Sequence, residues 1–133
     1  MFLNRFDKSE LTSPGNCEDE KTKNVCIVKL KCSCNIIETF GSGNAPTYKW
    51  FIEELKTFLD KGGIILNITQ CHGGSVEMGL YETSREMLKA GVLSGKDITS
   101  EASVTKLMHL LGTISDRKLL ISSINRSLAG EIT

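Results

Sequence analysis

Apolar residues recur along this chain in two rhythms: short runs of strand length, and stretches where they return every third or fourth position. Val25-Cys26-Ile27-Val28-Lys29-Leu30 reads as a first strand and Ile36-Ile37-Glu38-Thr39-Phe40 as a second. After Thr47 the rhythm turns helical. Phe51, Leu55, Phe58 and Leu59 share one face, with Glu53, Glu54, Lys56 and Lys61 outside it. Gly62-Gly63 ends that helix and launches a strand over residues 64–69. A second helix is predicted over about residues 82–89, with Met87 and Leu88 inward and Gly91 as its stop. Thr99 is placed to cap a third, because Glu101 follows in the positively polarised first turn. The apolar face of that helix is Val104, Leu107, Met108 and Leu111, and Gly112 closes it. Ser115 is the expected cap of a fourth, with Leu120, Ile124 and Leu128 in register and a stop near Gly130. Strands alternating with helices predict an α/β fold, a small parallel Rossmann-like or flavodoxin-like sheet flanked by helices.

Two regions break the alternation. Parallel neighbours need a crossover of about a dozen residues or more, and only residues 31–35 separate Leu30 from Ile36. An antiparallel hairpin, one irregular strand, or a missing crossover helix would each satisfy that spacing. Residues 1–24 are polar, with Ser13-Pro14-Gly15-Asn16 as a turn signal, and repeat at neither period. They read as a loose arm or interdomain linker, leaving residues 25–133 as the folded α/β domain.

Composition narrows the function classes. Sixteen basic and sixteen acidic side chains cancel, so no long-range field steers the chain to nucleic acid or an anionic membrane. No apolar run reaches membrane-spanning length, and the first residues lack a signal-peptide core. A cytoplasmic protein with free thiols among its 5 cysteines is therefore expected. Cys32-Ser33-Cys34 lacks a second ligand pair at zinc spacing, and Cys71-His72 point apart at a strand end, so neither a metal nor a cofactor is expected.

The candidate chemistry lies in two loops that follow strands, Gly41 to Pro46 and Gln70-Cys71-His72-Gly73-Gly74-Ser75, where ligands bind in open α/β sheets. Gly41-Ser42-Gly43-Asn44-Ala45-Pro46 starts like a dinucleotide fingerprint, but Pro46 stands at the third glycine and no acidic residue follows at residues 67–71. The loop either turns backbone amides and Asn44 toward a small polar ligand or is a tight turn in which Asn44 satisfies the next helix start. Gly91-Val92-Leu93-Ser94-Gly95-Lys96-Asp97 imitates a phosphate loop, yet its glycines are too close and Asp97 replaces the hydroxyl residue. It reads as a connection between helices. His72 with Glu77 could do acid–base work, but Cys71 is merely adjacent and Ser75 lacks the sharp nucleophile turn, so His72 reads as a surface residue. His109 reads as a partly buried packing residue. Asn67-Ile68-Thr69 and Asn125-Arg126-Ser127 match the glycosylation triplet by chance. No complete catalytic set emerges.

Several ordered blocks carry a resemblance. Glu38-Thr39-Phe40-Gly41-Ser42-Gly43-Asn44-Ala45-Pro46, Leu66-Asn67-Ile68-Thr69-Gln70-Cys71, Gly95-Lys96-Asp97-Ile98-Thr99-Ser100-Glu101-Ala102 and the ending from Asn125 to Thr133 resemble the C-terminal domain of cytosolic (type I) L-asparaginases. The likeness covers nearly everything from Ile36 onward. It implies hydrolysis of L-asparagine to aspartate and ammonia through an acyl intermediate on a threonine. It also implies that the catalytic residues belong to an N-terminal domain with no position in this chain. The smaller domain of such enzymes reaches across a subunit interface of a homo-oligomer to finish a neighbour's site. Asn44 matches the asparagine of that contact, and Glu82, after Tyr81, falls in the segment near the substrate amino group. Cys71, with Thr69 in the same Thr-Gln-Cys block, matches an allosteric asparagine pocket. Glu38 stands where the family's effector-holding arginine does, a charge reversal that argues against inherited allostery. The resemblance thus describes a fragment, truncated or decayed, that needs a catalytic domain. The alternative is a non-catalytic module that pairs with a full-length asparaginase or senses asparagine.

Overall fold

Ile64–Thr69 carries no charged residue, and it forms a strand buried along almost its whole length. The computed structural model describes residues 4–5, 26–30, 34–46 and 48–133. In chain order the elements are β1 (Asn4–Arg5), β2 (Cys26–Leu30), β3 (Cys34–Thr39), α1 (Lys49–Asp60), β4 (Ile64–Thr69), α2 (Glu82–Ala90), β5 (Leu93–Ser94), α3 (Ser100–Thr113) and α4 (Arg117–Ile124). The sheet order is β1-β2-β3-β4-β5. β3, β4 and β5 are parallel, as expected, and β3 runs in register with β4 from Cys34–Ile64 to Thr39–Thr69.

The short spacing after Leu30 resolves as an antiparallel hairpin, with Leu30 opposite Cys34 and Cys26 opposite Glu38. Within the stretch read as a loose arm, Asn4 and Arg5 pair with Lys29 and Val28. The rest of residues 1–24, and Val25 and Thr47, lie outside the described residues.

Alternation along β3 and β4 divides the core in two. Cys34, Ile36, Ile64, Leu66 and Ile68 face α3 and α4, where they join Ile98, Leu107, Leu110, Leu120 and Ile124. Ile37 and Ile65 face α1 and α2, against Phe51, Ile52, Leu55 and Met87. Burial pushes the Cys34 thiol up to about 12, so it stays protonated and inert. The tail returns to the first of these faces. Ile132 enters the core, Lys106 donates from Nζ to the Arg126 carbonyl at 2.6 Å and pairs with Glu131 at 2.7 Å, and the Thr133 amide donates to Asp97 at 3.0 Å.

Several helix details differ from the sequence expectation. α2 turns Met87 inward and leaves Leu88 half exposed, since neighbours lie about 100° apart around a helix. Gly91 does end α2 in the left-handed conformation. Thr99 caps α3 by accepting from the Ala102 amide, but the helix runs through Gly112 to Thr113. Its buried positions are Ser103, Lys106, Leu107 and Leu110, with Val104, Met108 and Leu111 only partly covered and His109 exposed rather than packed. α4 is capped by Asp116 in place of Ser115, the carboxylate accepting from the Lys118 and Leu119 amides, and it ends at Ile124, which leaves Leu128 exposed. The segment read as a plain connection contains β5, whose Gly95 amide donates to the Asn67 carbonyl at 2.7 Å.

Candidate functional site

Both candidate loops leave the same end of the sheet, because β3 and β4 are parallel and in register. The first turns back on itself at once. The Asn44 amide donates to the Phe40 carbonyl at 3.0 Å and the Phe40 amide to the Asn44 carbonyl at 3.3 Å, which closes Gly41-Ser42-Gly43 into a tight loop. Gly41 and Gly43 hold φ of 60° and 106°, a region that side chains disfavour. Gly43 is also packed close: a Cβ there would meet Val76 Cγ1 at 3.0 Å and Asn67 Nδ2 at 3.2 Å.

Under this loop lies a polar floor on the α1/α2 face. Thr39 and Asn67 are fully buried, and the Thr39 hydroxyl donates to Asn67 Oδ1 at 2.8 Å. The Asn67 Nδ2 donates to the Met78 thioether at 3.4 Å. The second loop is tied to the first where the Glu77 amide donates to the Ser42 carbonyl at 3.1 Å. Two buried amide and hydroxyl groups satisfied by one another form a firm base rather than a binding surface.

Asn44 stands exposed above that floor. Its Oδ1 accepts from the Thr83 hydroxyl at 3.2 Å, and Thr83 is buried in the first turn of α2. The start of α2 is built by Ser84, which accepts from the Gly79 and Tyr81 amides, both at 3.1 Å, and donates to the Tyr81 carbonyl. Asn44 therefore does not cap α1; Tyr48 occupies that position without a side-chain capping bond. Glu82, one residue before Thr83, is exposed in the first turn of α2, where its charge also complements the helix dipole. The segment that carries Glu82 is thus tied to the Asn44 loop by a residue that the sequence reading does not single out. A shallow depression on α2 is lined by Glu82, Arg85, Glu86 and Lys89. Glu86 is held below the usual carboxylate range by its hydrogen bond to Lys89.

The expected effector residues are arranged differently. Thr69 Oγ1 accepts from the Cys71 amide at 3.1 Å, and Cys71 is a half-buried free thiol. Glu38 belongs by alternation to the opposite, α3/α4 face, where its carboxylate accepts from the Ser100 hydroxyl at the start of α3. Its backbone carbonyl takes the Gln70 side-chain amide at 2.9 Å. His72 is exposed, as expected. Among the described residues, no hydroxyl or thiol is hydrogen-bonded to either imidazole (the Thr113 hydroxyl meets His109 only at its backbone carbonyl), and His72 and Glu77 form no ion pair.

Thr83, Thr39 and Asn67 were not singled out from sequence as working parts. Asn67 did carry a signal, being a polar residue inside an otherwise apolar strand.

A family model described as the glutaminase/asparaginase C-terminal domain matches residues 21–120. L-asparaginase 1 of Escherichia coli (strain K12) is 41% identical over 98 residues, covering 74% of this chain and 29% of that protein. A glutamyl-tRNA(Gln) amidotransferase protein of Thermoplasma volcanium is 38% identical over 92 residues, covering 69% of this chain and 22% of that protein. The crystal structure of L-asparaginase I from Vibrio cholerae superposes with a TM-score of 0.72 at 38% identity, over 77% of this chain and 31% of that one. The chain spans under a third of the length of the curated relatives it matches.

Proposed function

The chain belongs to the glutaminase/asparaginase C-terminal domain family, and we propose that it furnishes one wall of an amide-hydrolysing site whose attacking threonine sits on an N-terminal catalytic domain. The substrate of that site is L-asparagine, cleaved with water to aspartate and ammonia. Asn44 contacts the substrate, Glu82 lies toward its amino group, and the wall completes the site of a neighbouring subunit in a cytoplasmic homo-oligomer. The observation that carries this reading is the exposed Asn44, held on a rigid loop and bonded to Thr83 beside Glu82. A residue kept in place at the surface costs conformational freedom, which a contact with another body can offset.

The test mixes the purified chain with a separately produced asparaginase N-terminal domain and measures ammonia release from L-asparagine. Release is expected only in the mixture. Turnover by the chain alone would overturn its catalytic incompleteness, and a mixture no better than the catalytic domain alone would overturn the completing role.

A second reading, a non-catalytic module that pairs with a full-length asparaginase, draws on the lack of any hydroxyl–imidazole pair among the described residues. Binding without any gain in ammonia release would favour it. For Thr69 and Cys71 as effector contacts, a carboxylate at Glu38, where the resemblance expects the effector-holding arginine, disfavours an anionic effector. The assembled enzyme is then expected to respond hyperbolically to L-asparagine, and a sigmoidal response would restore the allosteric reading.

A further inference from the structure

We infer that Thr83 is a positioning residue which locks the Asn44 amide with its oxygen inward and its NH2 outward, so that Asn44 offers donors to a carboxylate or carbonyl oxygen in the completed site. The inference rests on the reading above that Asn44 faces that site. Its own basis is a hydroxyl proton. Thr83 is 4% exposed, so its O–H cannot turn to bulk water. Among the described residues, the Asn44 side chain is the one group its hydroxyl bonds, at 3.2 Å. A buried hydroxyl left with an orphan proton is costly, and only the oxygen end of an amide can take that proton. Thr83 therefore selects between the two flips of the amide. Asn44 makes no other side-chain hydrogen bond among the described residues, so its two N–H donors stay available.

The backbone on both sides resists an escape from this geometry. Asn44 is fixed by its paired bonds with Phe40, and Thr83 by the Ser84 box that starts α2. The exposed amide is thereby preset as a donor, complementary to an anionic or carbonyl oxygen and mismatched to an ammonium group. That oxygen belongs either to the substrate's α-carboxylate or to a wall residue of the catalytic domain.

The test has two parts. In the 15N-labelled full chain, Thr83→Val is expected to shift the Asn44 side-chain amide resonances, and Thr83→Ser to restore them. Unchanged resonances in Thr83→Val overturn the lock, whether or not the chain assembles with a catalytic domain. In the mixture with a catalytic domain, Thr83→Val is expected to raise KM for L-asparagine about 3- to 10-fold with kcat little changed, the worth of one oriented hydrogen bond. A wild-type KM overturns the positioning role. Asn44→Asp, which puts an acceptor where the donor stood, is expected to lose at least as much kcat/KM as Asn44→Ala. Retention of wild-type kcat/KM by Asn44→Asp overturns the donor assignment. The Asn44→Asp defect shrinking with L-asparagine methyl ester assigns the oxygen to the substrate carboxylate. An undiminished defect assigns it to the catalytic domain. An inactive wild-type mixture refutes the functional reading and leaves the resonance test to decide the lock.

Discussion

The α3/α4 face and the α1/α2 face of the same sheet end differently. On the first, Ile36, Leu66 and Ile68 meet Leu107, Leu110 and Ile124, and the tail is fastened down by Ile132 and the Lys106–Glu131 pair. On the second, the apolar packing of Ile37 and Ile65 gives way, at the carboxyl end, to Thr39 and Asn67, and above them to the exposed Asn44. One face is sealed by contacts that stabilise the domain. The other stops short and presents a polar edge held in place from below. On the proposed function, stability and function fall to separable sets of residues, although β3 and β4 serve both.

The largest expected effect falls on the sealed face. Leu107 is fully buried, so Leu107→Ala should cost about 2–5 kcal/mol and lower Tm by on the order of 10 °C. A small change in thermal unfolding would break the division between the faces. Next comes the ion pair. Lys106→Ala strands the Glu131 carboxylate and frees the Arg126 carbonyl, at an expected cost of about 2 kcal/mol in chemical denaturation. Lys106→Met keeps the buried stem and should recover part of that loss.

Acid sharpens the same contrast. Its hydrogen bond to Lys106, helped by the Ala129 and Leu128 amides, holds the Glu131 carboxyl down at about 2 against an ordinary 4.5. A lowered folded-state pKa gives stability that is complete above the unfolded value and is lost as pH falls through the folded one. The Glu131 contribution should thus be constant above about pH 4.5 and fade toward pH 2. Asp97, lowered by its hydrogen bonds to Thr133, acts in the same direction. Denaturant titrations of wild type and Glu131→Gln should converge on acidification, and parallel curves down to the acid limit would contradict the assignment.

The legible parts of the fold are those fixed by neighbours in sequence. The uncharged run at residues 64–69, the left-handed Gly91 and the Thr99 cap are each readable because their causes lie within a few residues. Periodicity is less informative about which of two adjacent apolar residues turns inward, so it puts Leu88 inside when, of the two, Met87 alone is buried. Burial of Lys106 on α3 cannot be read locally, because its partner Glu131 arrives from the far end of the chain. At the proposed site, Asn44 is legible from its loop and from the chain's resemblance to a known family. Thr83 is not, since its hydroxyl gains a role only when the start of α2 folds against a loop nearly forty residues earlier.

The smallest stability effect, and the most direct test of the division, belongs to Asn44→Ala. This side chain is exposed, so its removal costs stability only through the orphaned Thr83 hydroxyl, about 1 kcal/mol. Thermal unfolding of the variant and ammonia release from its mixture with a catalytic domain should be measured side by side. A Tm lowered by only about 5 °C, short of the Leu107→Ala loss, with a kcat/KM lowered at least tenfold is the expected result. A melting temperature that falls in step with activity would make Asn44 a structural turn residue and contradict the claim.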